Sequence, residues 1–582
     1  MKISTHLTIC IALVAFHGNL KAETIVEKGS SRTCRVDETG KLVYVKDAKG
    51  NRLPDFSHVG YRSGEKAIPD VAVRMTLKPT EGDDTKRIQD ALDELGALPQ
   101  NKNGHRGALL LKRGVYRVEG TLKVSHSGIV LRGEGSGPDG TLVIATGYGD
   151  FKYKRTLLSV GNSDRITLDT SSKQAILDEY VPVGAHSFTV KSAVGYRPGD
   201  RIVVFRPSTA DWISSIGCDK LAARWSGIRD VRWVKDGKAP GFYYQRLGYD
   251  SQYKMLQRTG ESWEAFKKRV PLSKDGKKFD FTRQWEPGGY DFYFERAITG
   301  MSGNRVTIDA PIVHAMEEKC GGGAIYKYGT PGRVTEVGIE NLRMVSEFAA
   351  PSAERHAWHA IKLSRNSEDT WVRNVTGNYF GWSLVSASGK RATVQDCVNL
   401  GHASQVSGGR RYPFMIDGQL NLMQRCVACA GRHEFVNQAK TLGPNVFVDC
   451  IGFNSKNSAG PHHRYAIGNL YDNVKSEAGM ESRFRGSSGT GHGWAGTQTC
   501  FYNCVASGFS VQAPPGGISW VLGSGKSNEE GIRLAPPSLY YQQLQDRLGK
   551  AALGRLATEE QRKQMGTYVW VEDRLKAEKT SQ

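Results

Sequence analysis

Four glycine-bounded clusters in the C-terminal half of the chain concentrate its histidine, arginine and tyrosine. They are 407–414, with Arg410, Arg411 and Tyr412; 431–435, with Arg432, His433 and Glu434; 460–465, with His462, His463, Arg464 and Tyr465; and 489–496, with His492 and Trp494. Glycine tolerates sharp backbone turns, so each cluster reads as a turn that lifts polar side chains off a scaffold. These residue types suit removal of a proton beside a carboxylate. An arginine fork neutralises the carboxylate, an imidazole or an arginine-activated phenol takes the proton, and a second tyrosine or histidine protonates the departing oxygen. In a polymer of uronic acids those steps amount to β-elimination at the glycosidic bond, with the developing charge held by the arginines. The expected roles are Arg411 and Arg464 as carboxylate neutralisers, His463 or His433 as base, and Tyr465 or Tyr412 as acid, with His492 also in the catalytic set. Arg410, Arg432, His462, Lys440, Arg485, Trp494 and His356 are expected to contact substrate.

Two other readings stay open. A glycoside hydrolase needs two placed carboxylates, which would come from Asp417, Glu434, Asp449 or Glu481. A non-catalytic glycan-binding protein would keep the basic stripe and show no turnover. Glu434 is the only acid in the four clusters, whereas calcium takes about six or more oxygen ligands. No metal and no cofactor is therefore expected, calcium being the one alternative. The pair His462 and His463 would point to opposite faces if it lay in a strand, and Arg464 would oppose a cation there.

The elements that must carry these clusters announce themselves by repetition. The phrase Ile-Glu-Asn-Leu at 339–342 recurs as Val-Arg-Asn-Val, Gln-Asp-Cys-Val, Gln-Arg-Cys-Val, Val-Asp-Cys-Ile, Tyr-Asp-Asn-Val and Tyr-Asn-Cys-Val. Its third residue is Asn341, Asn374, Cys397, Cys426, Cys450, Asn473 and Cys504, in steps of 33, 23, 29, 24, 23 and 31 residues. That is the size of one solenoid turn. The flanking Val, Ile and Leu suit buried strands, and Cys packs there as a small apolar residue. The pattern predicts an all-β fold, a parallel β-helix, with these Asn and Cys residues facing inward in one stacked row. Counting 12 to 14 residues past each gives a basic column that includes Arg411, Lys440, His462, His463, Arg464 and Arg485. Arg411 and Arg464 share the phase of 14, two coils apart, which predicts about 10 Å between them along the axis.

Nearer the N-terminus, Gly82-Asp83-Asp84-Thr85 precedes an amphipathic helix built on Ile88, Ala91, Leu92 and Leu95. Gly114-Val115-Tyr116 and Leu131-Arg132-Gly133-Glu134-Gly135 follow in short strands. With these motifs the chain resembles the pectate-lyase-like superfamily, which implies a right-handed β-helix whose first coil is capped by that helix and a protein that acts on polysaccharide. The expected organisation is a signal peptide over 1–22, a lead-in over 23–80, and the cap with first coils over 81–204. An aromatic and basic insertion over 205–300, main coils over 301–518 and a C-terminal extension over 519–582 complete it. The insertion's tryptophans suit a small core or sugar stacking equally. The leader, Met1-Lys2-Ile3 and an apolar run to Phe16, predicts a secreted or periplasmic protein. A formal charge of +20 on an exported chain points to an acidic polysaccharide as partner, not to nucleic acid, and no segment is expected to insert in a membrane. Nine cysteines follow Cys10, an odd number that argues against a disulfide framework.

Overall fold

The computed structural model describes residues 22–148, 155–234, 241–246, 253–255, 273–275, 278–351 and 353–563. The expected leader over 1–22 falls almost wholly outside the described residues. The coils form a right-handed parallel β-helix with three walls. The first wall stacks Trp371–Asn378, Thr393–Gln395, Leu422–Gln424, Leu442–Val448, Ala466–Asp472, Cys500–Tyr502 and Ile518–Leu522 in parallel register. The second stacks Val398–Asn399, Val427–Cys429, Ile451–Phe453 and Lys475–Ser476. The third runs from Leu122–Val124 through Thr156–Val160, His359–Leu363, Ser383–Ala387, Phe414–Ile416 and Phe435–Asn437 to Gly460–Pro461. Its interior is apolar and carries stacked rings, for instance Phe414 on Phe435 at 5.7 Å and Tyr471 on Phe501 at 5.1 Å between centroids.

The recurring phrase resolves into two columns, not one. Strand register places Asn341, Asn374, Asp396, Arg425, Asp449, Asn473 and Asn503 above one another at the bend between the first two walls. All seven have left-handed φ, between 51° and 56°. The next residue of each coil, Leu342, Val375, Cys397, Cys426, Cys450, Val474 and Cys504, forms the inward apolar row. The expected single row therefore mixed Asn from the bend with Cys from the core. The physical reason is that a left-handed bend favours Asn and Asp, whose short polar side chains tolerate it, while the inward position admits any compact apolar residue. An amide ladder forms at the first step of the column, Asn374 Nδ2 donating to Asn341 Oδ1 at 2.8 Å, whereas Asn473 and Asn503 donate to the C-terminal segment at Pro537 O and Leu534 O. Arg425 fills the same position by donating to Asp396 one coil away, at 2.8 and 3.1 Å. The nine cysteines after Cys10 are thiols.

Thr85–Ala97 caps the first coil with Ile88, Leu92 and Leu95 buried in the solenoid core, which shields a sheet end from edge pairing. Asp84 does not cap this helix; its carboxylate accepts from Arg117 N–H at 3.0 Å, and Asp83 takes the Thr85 N–H at 3.0 Å. The lead-in begins at the opposite end, where Glu23–Glu27 pairs in parallel with Ile518–Leu522. The C-terminal helices Leu539–Leu548 and Ala551–Leu556 pack with the lead-in on the outer face of the first wall, burying Phe56, Leu422, Leu470, Trp520 and Leu544.

The insertion is wider than 205–300. An antiparallel six-stranded sheet runs from Thr167–Ala175 to Ala324–Gly329, with Ser187–Thr189, Arg201–Arg206, Phe292–Ser302 and Arg305–Ile308 between. Alternating apolar strands look alike whether they extend a coil or a side sheet, so the boundary was invisible in the sequence. Thr156–Val160 still pairs directly with His359–Leu363, so the insertion interrupts the chain without interrupting the stack. Trp212 and Trp285 lie in its core at 3% exposure, which settles them as packing residues.

Candidate active site

The third wall ends at its C-terminal coils in a group of rings. Phe414 pairs with Phe435, so Tyr412 and His433, two residues earlier on each strand, share a phase and their rings stand 5.1 Å apart. His462 follows Pro461, which pairs with Asn437, and its ring lies 4.5 Å from His433 and 5.3 Å from Tyr412. Arg464 and Tyr465 both take left-handed φ, 54° and 67°, so the chain turns immediately after the two histidines. For that reason His462 and His463 do not alternate as strand neighbours would; their rings are 4.9 Å apart. His492, from the turn around Gly491, completes the group 4.7 Å from His463.

Arginines fix the polar atoms of this group. Arg432 Nη1 donates to the Tyr412 hydroxyl oxygen at 3.0 Å, and Arg485 Nη1 donates to His462 Nδ1 at 3.1 Å. Guanidinium only donates, so His462 Nδ1 is an acceptor and the proton of the neutral ring sits on Nε2. That N–H donates to the Tyr412 oxygen at 3.1 Å. The tyrosine oxygen thus receives two donors while its own proton goes to Gly408 O at 3.1 Å. His433 is the converse case. Its Nδ1 meets the carbonyl of Ser458 at 2.5 Å and must carry the proton, so Nε2 is the lone-pair nitrogen, a buried atom with no hydrogen-bond partner among the described residues.

Burial and positive neighbours keep all four imidazoles neutral. Burial, then Arg432, pushes His433 down to about 3; burial, then Arg464 and Arg485, pushes His463 to about 3. His492 falls to about 2 through burial and His463, and His462 lies well below its ordinary range through burial and His433. Burial raises the Tyr412 phenol above its usual value, with Arg432 opposing it, so the resting side chain is protonated. The group therefore holds a neutral acid whose conjugate base is already solvated by Arg432 and His462, and neutral imidazoles with an unpartnered ring nitrogen, of which His433 Nε2 is the one whose protonation state its other nitrogen fixes.

Several residues expected in the site are turned away from the ring group or lie elsewhere. Tyr465 is 1% exposed in the insertion core among Trp212, Trp285 and Phe292, bonded to His314, and burial drives its phenol far up. Arg410 forms a buried ion pair with Glu354 at 2.5 to 2.7 Å. Arg411 turns onto Ser404 O at 2.9 Å, and Arg464 onto Thr490, 3.0 Å from its O and 2.6 Å from Oγ1. These two arginines do not share a phase: Arg411 precedes a third-wall strand, whereas Arg464 follows one and pairs with Lys440. Coil lengths differ, so counting from the bend loses register within one turn. Lys440 lies over the Tyr290 ring and donates to Gly289 O. Trp494 donates to Ile216 O at 2.9 Å, and His356 is buried between Ser346 and Ala403. The sequence reading missed Trp382, half-buried beside Tyr412 at 5.9 Å, whose indole N–H has no partner among the described residues. Stepping one coil back from Tyr412, whose N–H donates to Trp382 O at 2.7 Å, would have found it.

Of the acids, Glu434 is fully buried next to His433 but lies beside Ser455 and Gly452, and burial pushes it up to about 8. Glu481 pairs with Arg483 at 3.0 Å, and Asp449 sits in the bend column. Two cavities, of about 250 Å³ by Arg74 and His105 and about 280 Å³ by His58 and Arg391, are lined by none of the ring-group residues.

No known protein family matches the chain, and no curated protein does. Among solved structures it is similar to the tailspike protein gp49 from Pseudomonas phage LKA1, at 13% identity over 72% of this chain and 52% of that one, with a TM-score of 0.35. The tailspike of E. coli bacteriophage HK620 in complex with a pentasaccharide matches at 8% over 82% and 56%, TM-score 0.33. XylC in complex with xylose matches at 10% over 78% and 75%, TM-score 0.29. The chain spans little more than half the length of the tailspikes it matches. The fold assignment stands on the strand register described above.

Proposed function

We propose that the protein is a polysaccharide lyase that cleaves an acidic, uronic-acid-containing glycan by β-elimination without a metal in the reaction. The observation that carries this reading is the pair of forced protonation states: a bare Nε2 on His433 beside a Tyr412 hydroxyl that Arg432 and His462 both address. Arg432 and Arg485 take the substrate carboxylate and hold the charge that develops next to it. His433 withdraws the proton adjacent to that carboxylate. A ring held at about 3 is a weak base; the carboxylate, entering beside it, raises its basicity when substrate is bound. Tyr412 protonates the leaving oxygen, and the phenolate it leaves is held by Arg432 and the His462 N–H. His463 and His492 line the same wall, and Trp382 offers a ring face to a sugar. The charge of +20 favours an anionic polymer. A hydrolase would need two carboxylates facing this wall; Glu434 lies on the Ser455 side, and Glu481, near Arg485, is paired with Arg483. The test is a screen of pectins, alginate, glucuronans and glycosaminoglycans, read by ultraviolet absorbance of the unsaturated uronate end. New reducing ends without that absorbance would replace the lyase reading by a hydrolase, and binding without product by a glycan-binding protein.

A further inference from the structure

Far from the ring group in sequence, Asp55, His58 and His186 bring a carboxylate oxygen and one nitrogen of each imidazole within 4.8 Å of one another. Asp55 and His58 belong to the lead-in, and His186 opens the strand Ser187–Thr189 of the insertion sheet. We propose that these three residues bind one divalent transition ion of the zinc class, which clasps the lead-in to the insertion.

Three features distinguish the group from a chance meeting of polar side chains. The first is spacing. Asp55 Oδ2 and His58 Nε2 stand 3.3 Å apart, whereas a charge-assisted N–H···O bond prefers about 2.7 to 2.9 Å. Two donors on one tetrahedral zinc, each bonded at about 2.0 to 2.2 Å, stand about 3.3 Å apart. The second is orientation. The Nδ1 of His186 lies 3.3 Å from Ile308 O, which puts its proton there and leaves Nε2 as the lone-pair nitrogen. A ring nitrogen held on a backbone carbonyl is the usual support of a metal-bound histidine. Asp55 is oriented likewise, its Oδ1 accepting from Ser57 N–H at 2.9 Å, so that Oδ2 is the oxygen turned to the histidine. The third is a rigid frame. Arg52 N–H donates to Val183 O at 3.1 Å, Asn51 Oδ1 accepts from Val183 N–H and the Tyr180 hydroxyl, both at 2.9 Å, and Phe56 N–H donates to Gln543 at 2.9 Å. Asn51 and Arg52 thus tie the lead-in to the insertion just before the ligands, and Phe56 ties the same segment to the C-terminal helix Leu539–Leu548, before any ion arrives.

Arg52, beside the frame, is turned onto Gly184 O at 3.2 to 3.3 Å, and Arg62, Arg391 and Arg547 line the neighbouring cavity together with Glu65 and Asp309. His58 and Asp55 keep 14% and 24% of their side-chain surface exposed, and the 280 Å³ cavity also touches His58, so water supplies the fourth ligand and an ion has a way in. Two imidazoles and one carboxylate match zinc, cobalt and nickel better than calcium or magnesium, which select oxygen.

The test uses the whole mature chain without a histidine tag, stripped by chelator and titrated with zinc chloride, with cobalt(II) as the coloured probe. One ion per chain at micromolar or lower concentration, tetrahedral cobalt absorption and a rise in Tm with added zinc are expected. His58→Gln and His186→Gln should each weaken binding at least tenfold and abolish the Tm rise, while His462→Gln with His463→Gln leaves both unchanged. Wild-type chain that binds neither ion below about 100 μM overturns the proposal. So does binding that survives loss of His58 and His186, or that disappears with His462 and His463. If the glutamine variants do not fold, Asp55→Asn takes their place, and the wild-type cobalt spectrum decides independently between a three-ligand nitrogen and oxygen site and none.

Discussion

Tyr412→Phe isolates the proposed acid. The substitution removes one oxygen, which accepts from Arg432 at 3.0 Å and from His462 at 3.1 Å, and leaves the ring between Trp382 and His433. Arg432 keeps its bond to Gly408 O and Arg485 keeps His462, so the two arginines proposed to bind the carboxylate stay in place. The net loss of one buried hydrogen-bonding hydroxyl costs about 1 kcal/mol of stability. Loss of a positioned general acid slows turnover about 10² to 10⁴-fold, equivalent to about 3 to 5.5 kcal/mol of barrier. The expectation is therefore a kcat reduced by at least a hundredfold with KM changed less than threefold, measured by unsaturated-uronate absorbance on the glycan found in the screen. The pH profile adds a second reading. His433, held at about 3, is unprotonated above that value, and the Tyr412 phenol is protonated below its raised value. Wild-type kcat/KM should then be flat between about pH 5 and 9. A Tyr412→Phe protein with unchanged Tm and near wild-type kcat would refute the assignment, and a bell centred near pH 7 would refute the protonation states on which it rests.

Arg432→Ala and Arg485→Ala should each lower kcat/KM about a hundredfold with little rescue by lysine, because a point charge does not reproduce a fork; Arg464→Ala, whose guanidinium serves Thr490, should cost less than tenfold, and the reverse order would restore the carboxylate role to Arg464. Burial raises Glu434 to about 8, so the folded chain keeps a proton that the unfolded chain releases, and stability falls as pH rises from about 4.5 through 8. Glu434→Gln cannot ionise and should be more stable than wild type at pH 9, with the difference, of order a few kcal/mol, vanishing by pH 4; equal melting curves at pH 9 would contradict this. At the bend, Asn473 has φ 51° and donates to Pro537 O at 3.0 Å. Asn473→Ala should be less stable than Asn473→Gly by about 1 kcal/mol in denaturant titration, since only the alanine adds a Cβ penalty to the left-handed backbone.

What the sequence determined by itself was the solenoid. Repetition at 22 to 33 residues reflects a local requirement, one left-handed bend and one inward apolar residue per coil, and local requirements leave residue-type signatures. The helix Thr85–Ala97 was legible for the same reason, its apolar face being periodic. The bend and core columns were conflated because adjacent positions both admit small residues, and only strand pairing tells Asn473 over Asn503 from Asn473 over Cys504. The clusters holding Tyr412, His433, His462, His463 and His492 were legible as residue types that the fold then brings within ring contact. Their partnership was not. Coils of unequal length place Arg411 and Arg464 on different sides of the third-wall strands, and two left-handed residues after His463 turn Tyr465 into the insertion core. Arg432 and Arg485 were visible only as basic residues until stacking set them on Tyr412 and His462. Asp55, His58 and His186 meet only because the lead-in runs back along the solenoid to the insertion, a contact across more than a hundred residues that no local pattern encodes.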